Sequence, residues 1–175
     1  MQTVFELCKP RDSVFLDTTR DDVLNLSDLV EGRIDADKFF GENFKTKGME
    51  ILFETAFKRF QGKSDTGVIK LTQAMGGGKT HNMLALALLA QNPTWRRKLL
   101  GRDYDDVSDI RVVAFSGRES DAPYGIWGSI AEQLGKKELF SDLYAPLKAP
   151  GENAWVNLLK GQNILILMDE LPPYL

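Results

Sequence analysis

GVIKLTQAMGGGKTH is the sequence of residues 67–81, and this stretch decides which fold we predict for the chain. Residues 67–72 are mainly apolar and predict a β-strand. The segment that starts at Lys79 is rich in alanine and leucine and predicts a helix to about Ala90. Three consecutive glycines stand between them: Gly76, Gly77 and Gly78. Strand, glycine loop and helix in this order predict a loop that binds phosphate groups.

The glycines and the helix start suit a phosphate ligand for physical reasons. Several backbone N–H groups must approach one anion, and glycine leaves room for that approach. The N-terminal N–H groups of a helix favour negative charge, so we expect backbone contacts from Lys79, Thr80 and His81. The Lys79 ammonium would also reach the outer phosphates and assist catalysis, and the Thr80 hydroxyl would bind Mg²⁺. The expected ligands are therefore ATP and Mg²⁺.

The loop departs from the usual pattern at one position. Gln73 stands where a glycine normally begins the loop. We expect a first turn of different shape, in which the Gln73 side chain could itself reach the phosphates. The alternative is a glycine-rich turn that merely precedes a Lys-Thr pair.

An acidic pair follows another apolar run. Residues 163–168 predict a strand that is covered on both faces, and Asp169 and Glu170 come directly after it. An aspartate at such a strand end holds Mg²⁺ in nucleotide hydrolases, and we expect this of Asp169. We expect Glu170 to be the general base that polarises the attacking water. The alternative is a solvated strand end without chemistry.

The rest of the chain predicts alternating helices and strands. Residues 46–61 predict a helix, because apolar side chains recur at helical spacing and Gly62 follows them. Further predictions are a helix at 93–100, a strand at 111–116, a helix at about 126–134, and helical segments at 139–145 and 154–159. This alternation predicts an α/β domain with three layers, α/β/α, and a mainly parallel sheet. We expect residues 1–62 to form a helical lead-in that packs on a core of residues 63–175.

Composition and charge exclude several classes of protein. The 175 residues carry a formal net charge of −3, which argues against a strongly basic surface for nucleic acid. A single cysteine, Cys8, leaves no disulfide within the chain. No apolar run approaches the roughly 20 residues that cross a bilayer, and the N-terminus does not resemble a signal peptide. These features predict a cytoplasmic protein without a membrane partner.

Some weaker features leave alternatives open. Arg118 follows a strand, and it could contact nucleotide, a neighbouring subunit or nucleic acid, or simply pair with Glu119 or Asp121. We interpret the run Arg96-Arg97-Lys98 as a solvated helix face. The His81 side chain is expected to pack beside the loop rather than to bind a metal.

Three stretches, residues 71–81, 115–128 and 168–174, resemble a family of large prokaryotic AAA-type ATPases long known only as a domain of unknown function. The resemblance runs from about Pro10 to the end. Members are often encoded beside DNA methyltransferases in phage-defence islands and are similar to the ATPases of bacteriophage-exclusion systems. The resemblance implies a P-loop NTPase fold, ATP hydrolysis, a homo-oligomer when full length, and a DNA methyltransferase, other defence proteins or DNA as partners.

AAA-type ATPases also have a sensor strand between the glycine-loop strand and the acidic strand, an arginine finger and a helical lid. None of these parts is recognised in this sequence, so we expect an N-terminal fragment that is truncated after the acidic strand. Two other functions remain open. The chain could be a nucleotide-dependent switch or scaffold with little hydrolysis, or a small-molecule kinase, which Glu170 beside Asp169 disfavours.

Overall fold

The computed structural model describes residues 3–8, 24–72, 74, 76–107, 109–118 and 122–171. Within these ranges it contains eight α-helices and two β-strands. The helices are α1 Val4–Leu7, α2 Leu26–Val30, α3 Ala36–Glu42, α4 Lys47–Phe60, α5 Lys79–Gln91, α6 Pro93–Leu100, α7 Gly125–Gln133 and α8 Glu152–Leu159. The strands are β1 Ile110–Ser116 and β2 Asn163–Asp169, and short 3₁₀ helices span Arg102–Tyr104 and Lys137–Leu143.

The two strands lie parallel, in a register that pairs Ile110 with Asn163 and Ser116 with Asp169. The other edge of β1 is closed at Ala114 by the Gln133 side chain. Its Oε1 accepts from the Ala114 N–H at 3.0 Å, and its Nε2 donates to the Ala114 carbonyl at 2.8 Å. Because this amide takes both backbone groups of Ala114, no further strand can pair with β1 at that point.

The strand predicted over residues 67–72 is wrong for this structure. None of those six residues belongs to a strand, and the sheet formed by the described residues has two strands. Val68 is 86% exposed and Ile69 is 40% exposed, so their side chains lack the cover that a central strand needs. A β-strand requires backbone partners on a neighbouring strand, and the apolar run cannot supply them by itself.

Helices cover both faces of the small sheet. One face carries Ala114 and Leu167, which belong to a core that includes the whole buried stretch of α5. The opposite face carries Val113 and Ile166, which pack in a second core with α7 and α8. The predicted α/β class and parallel strands are therefore confirmed, with helices on either side of a sheet of two strands.

Local sequence signals place the helix ends correctly. The Thr46 hydroxyl caps α4 by accepting from the Met49 N–H at 3.2 Å, and Gly62 follows the helix at φ 70°. The Asn92 side chain caps α6 in the same way, with Pro93 in its first turn.

The segment predicted as helical over 139–145 is a 3₁₀ helix at Lys137–Leu143 instead. No described helix has the length and apolarity to span a bilayer.

The prediction that Arg96-Arg97-Lys98 forms a solvated helix face is wrong for Arg96, which is only 3% exposed. Its guanidinium donates to the carbonyl oxygen of Val107 and lies 5.4 Å from the centre of the Phe57 ring. Burial lowers the pKa of Arg96 below its ordinary value, while Asp105 and Asp106 act in the opposite direction. A buried arginine therefore ties the segment after α6 to the core.

Candidate functional site

Two glycines of the loop have a left-handed backbone. Gly76 has φ 76° and Gly78 has φ 73°, a region that side chains other than glycine rarely adopt. A Cβ atom at either position would meet nothing within 4 Å, so the requirement for glycine is conformational here. The Gly77 N–H donates to the Ala74 carbonyl at 3.0 Å, which closes a tight turn. Gln73 lies outside the described residues, so its predicted contact with phosphate stays a prediction.

Helix α5 starts directly from this loop. The Asn82 N–H donates to the Gly78 carbonyl at 2.9 Å, which is the first i to i−4 hydrogen bond of the helix. The N–H groups of Lys79, Thr80 and His81 precede that bond, and Gly78 has no side chain to cap them. The positive end of the helix dipole therefore faces the loop, as a phosphate site requires.

The Lys79 side chain turns back over the loop. Its ammonium group donates to the Ala74 carbonyl at 3.2 Å, across the residues that form the turn. A positive charge is thus held close to the backbone N–H groups that would face an anion. This placement suits the predicted role of Lys79 toward the outer phosphates.

Thr80 and Asp169 meet although they are 89 positions apart in the chain. The Thr80 hydroxyl donates to Oδ2 of Asp169, and Oδ1 accepts from the Glu170 N–H at 3.0 Å. The carbonyl oxygen of Asp169 accepts from the Gly117 N–H, also at 3.0 Å. The start of α5 and the end of β2 therefore form one site, with Asp169 held through both its backbone and its carboxylate.

Two oxygen donors of the kind that Mg²⁺ prefers stand side by side at this point. Mg²⁺ binds hard oxygen ligands, commonly one or two protein carboxylates together with phosphate oxygens. The Thr80 hydroxyl and the Asp169 carboxylate supply a donor set of that type, beside a loop suited to phosphate. In the described part of the chain, no group of three or more His, Cys, Asp or Glu side chains could hold a metal alone. Phosphate oxygens and water molecules would complete the coordination.

Glu170 is held by a partner that the sequence did not suggest. Its Oε1 lies 3.4 Å from the Arg118 guanidinium, and the two side chains are 42% and 70% exposed. Glu170 has φ 49°, an uncommon backbone conformation for a residue with a side chain. Among the open alternatives for Arg118, the proposed ion-pair partners Glu119 and Asp121 lie outside the described residues. An exposed pair of this kind contributes at most about 1 kcal/mol, so a ligand could separate it.

The register of the sheet explains this pairing. Ser116 pairs with Asp169, so the residues that follow the two strands emerge together at their carboxyl ends. The sequence places Arg118 two residues beyond β1 and Glu170 one residue beyond β2. The register therefore makes them neighbours.

The His81 side chain packs against helix α3. Its ring stacks on Phe39 of α3, with ring centres 4.7 Å apart and planes 24° apart. Burial lowers the pKa of His81, which favours the neutral imidazole. Sequence reasoning did not identify Phe39, which lies more than 30 positions before the loop.

The glycine loop lies at the surface rather than in an enclosed cavity, since Gly76, Gly77 and Gly78 are all exposed. A cavity of about 150 Å³ lies beside β1 instead, between α2 and α7, and Ser116 is part of its wall. It borders the carboxyl end of β1 without including the loop. The residues proposed for phosphate therefore lie on an open face.

Comparison with known proteins identifies one family. The family model of the DUF499 N-terminal domain matches residues 5–111, which include the glycine loop and end at the second residue of β1. No curated protein matches, and no solved structure matches. The match covers more than half of the 175 residues and agrees with the resemblance to a domain of unknown function. The chain therefore belongs to the DUF499 N-terminal domain family.

Proposed function

We propose that the chain binds ATP with Mg²⁺ at Gly76–Thr80 and hydrolyses it as part of a larger AAA-type ATPase. The observation that carries the proposal is the hydrogen bond from Thr80 to Asp169. It brings a loop suited to phosphate and a carboxylate suited to Mg²⁺ to one point, from distant parts of the chain. Either feature alone has a structural explanation, whereas a chance meeting of the two is harder to explain.

Each side chain has a role in this proposal. The loop N–H groups and the Lys79 ammonium bind the β and γ phosphates and offset the negative charge that accumulates there. Thr80 and Asp169 hold Mg²⁺, which neutralises charge on the phosphate oxygens. Glu170 orients a water molecule and accepts its proton as the oxygen attacks the γ phosphorus. The bond between the γ phosphorus and the β–γ bridging oxygen breaks, and ADP leaves.

Titration of the chain with ATP in the presence of Mg²⁺ tests the binding site. We expect Lys79→Ala to weaken ATP affinity at least tenfold, because one charge-assisted contact contributes about 1.5–3 kcal/mol. Lys70→Ala is the matched control, since Lys70 is an exposed lysine just before the loop. Equal affinity of the Lys79→Ala variant and the unaltered chain would refute the proposed site.

Turnover tests the hydrolytic step separately. We expect Glu170→Gln to keep ATP affinity and to lose phosphate release, because the amide cannot accept the proton of water. The isosteric change leaves the size of the side chain unaltered. Phosphate release at the original rate would show that Glu170 is not the base.

The contact between Arg118 and Glu170 favours a second candidate, a nucleotide-dependent switch with little hydrolysis. While Arg118 holds the carboxylate of Glu170, that carboxylate is less available to a water molecule. Under this alternative the chain binds ATP tightly and turns it over slowly, and Arg118→Ala raises turnover without changing affinity. Unchanged turnover in Arg118→Ala would remove the support for the switch.

The family resemblance supports a wider setting, anti-phage defence with a DNA-modification partner. In this proposal ATP binding is coupled to a DNA methyltransferase, other defence proteins or DNA, with several copies of the full-length protein acting together. Deletion of the gene from its host should raise the plating efficiency of phage, and complementation by the Lys79→Ala variant should not restore protection. Unchanged plating after deletion would contradict this role.

A further inference from the structure

A groove lined partly by aromatic side chains includes Phe39, the residue on which His81 stacks. His81 follows Thr80 in the chain, and its ring stacks on Phe39. The groove lies between the end of α3, the segment that leads into α4, and the end of α6. Phe39 therefore connects the residue that follows Thr80 with the wall of this groove.

Phe44 lies at the mouth of the groove with its ring in solvent. It lines the groove, yet 86% of its surface is exposed. Burial of an aromatic ring is favourable, so a ring left in water offers a face on which a flat ligand can stack. The exposure also means that Phe44 contributes little to the packing of the fold.

Asn43 offers a hydrogen-bond acceptor beside that ring. Its Nδ2 donates to the Phe39 carbonyl at 2.7 Å, which sets the orientation of the side-chain amide. Its Oδ1 accepts no hydrogen bond from the residues that the structure describes. The groove therefore presents an oriented acceptor next to an exposed aromatic face.

We propose that this groove binds the adenine base of the nucleotide, an inference that rests on the proposed function of the glycine loop. The groove encloses only about 30 Å³, room for a water molecule rather than a purine. The base would therefore lie across the mouth, stacked on Phe44, with its 6-amino group donating to Oδ1 of Asn43. Guanine carries an oxygen at position 6 and cannot donate there, so the groove selects adenine.

Calorimetric titration with three ligands tests this assignment, in the presence of Mg²⁺: ATP, GTP and inorganic triphosphate, which has no base. A base stacked on an aromatic ring contributes at least about a fivefold gain in affinity. We expect Phe44→Ala to weaken ATP binding by that factor or more and to leave triphosphate binding unchanged. We expect Asn43→Ala to reduce the preference for ATP over GTP. Leu139→Ala, a change at a 57% exposed apolar residue on the 3₁₀ helix, should alter none of the affinities.

The outcomes separate this assignment from the phosphate site. ATP affinity that is unchanged in Phe44→Ala but lost in Lys79→Ala would overturn the base site and leave the phosphate site standing. Equal weakening of ATP and triphosphate by Phe44→Ala would also overturn it, because the effect would then act through the loop. ATP affinity unchanged in Lys79→Ala would overturn the phosphate site and this assignment together.

Discussion

Replacement of Arg96 by alanine tests the buried arginine that the sequence alone did not predict. The change removes the hydrogen bond to the Val107 carbonyl and the contact with the Phe57 ring. It also removes weaker contacts to the carbonyl oxygens of Leu89 and Ala90, at 3.5 and 3.4 Å, which exceed the usual hydrogen-bond length. All of these contacts lie where Arg96 is only 3% exposed, so water does not readily replace them.

The expected cost follows from these contacts. A hydrogen bond from a charged donor contributes about 1.5–3 kcal/mol, and the ring contact contributes about 0.5–2 kcal/mol. Burial of the two methylene groups that alanine lacks adds about 1.6 kcal/mol. Burying a guanidinium costs several kcal/mol in the opposite direction, which the alanine variant no longer bears. We therefore expect Arg96→Ala to lower the free energy of unfolding by about 2–4 kcal/mol.

Urea unfolding followed by tryptophan fluorescence measures this change, since Trp95 adjoins Arg96. Arg97→Ala is the matched control, because Arg97 is the next residue and its side chain is 53% exposed. Arg97 forms a surface ion pair with Asp105 at 3.4 Å, and its loss should cost about 1 kcal/mol or less. Equal shifts of the unfolding midpoint in the two variants would refute the reasoning about burial.

Three further predictions use the same unfolding assay or the ATP titration. Gly78→Ala should lower the free energy of unfolding by about 1–2 kcal/mol, because Gly78 has φ 73°. Gly48→Ala within α4 should raise the free energy of unfolding by about 0.5–1 kcal/mol, because alanine favours a helix more than glycine does. A lower free energy of unfolding in both variants would contradict this reasoning. Burial lowers the pKa of His81 in the folded state, so its neutral form stabilises the fold above about pH 6.5, and that stability is lost as the pH falls below it. His81→Phe should therefore show a smaller loss between pH 7.5 and pH 5, and an identical pH profile would count against the stacked histidine as its source. Asp169→Asn should weaken ATP binding when Mg²⁺ is present and change it little when EDTA removes the metal; equal effects in both conditions would exclude Asp169 as a Mg²⁺ ligand.

The sequence by itself determined most of the helices and both strands of the sheet. Thr46 and Gly62 mark the two ends of α4, as their positions in the sequence predict. Asn92 and Pro93 likewise separate α5 from α6. These signals act within a few residues, through side-chain caps and backbone preferences. The strand predicted from the apolar run after Gly67 is absent for the same reason. A strand also needs a partner strand, which the local sequence does not specify.

The tertiary structure alone decided which of the candidate side chains meet. The sequence marks Lys79, Thr80, Asp169 and Glu170 as candidates from their motifs, but it contains no distance between them. The packing of α5 on the sheet brings Thr80 to Asp169, and the strand register brings Arg118 to Glu170. Register and packing depend on the buried faces of several elements at once. The identity of the candidate residues is thus a local property of the chain, and their arrangement as a site is a property of the fold.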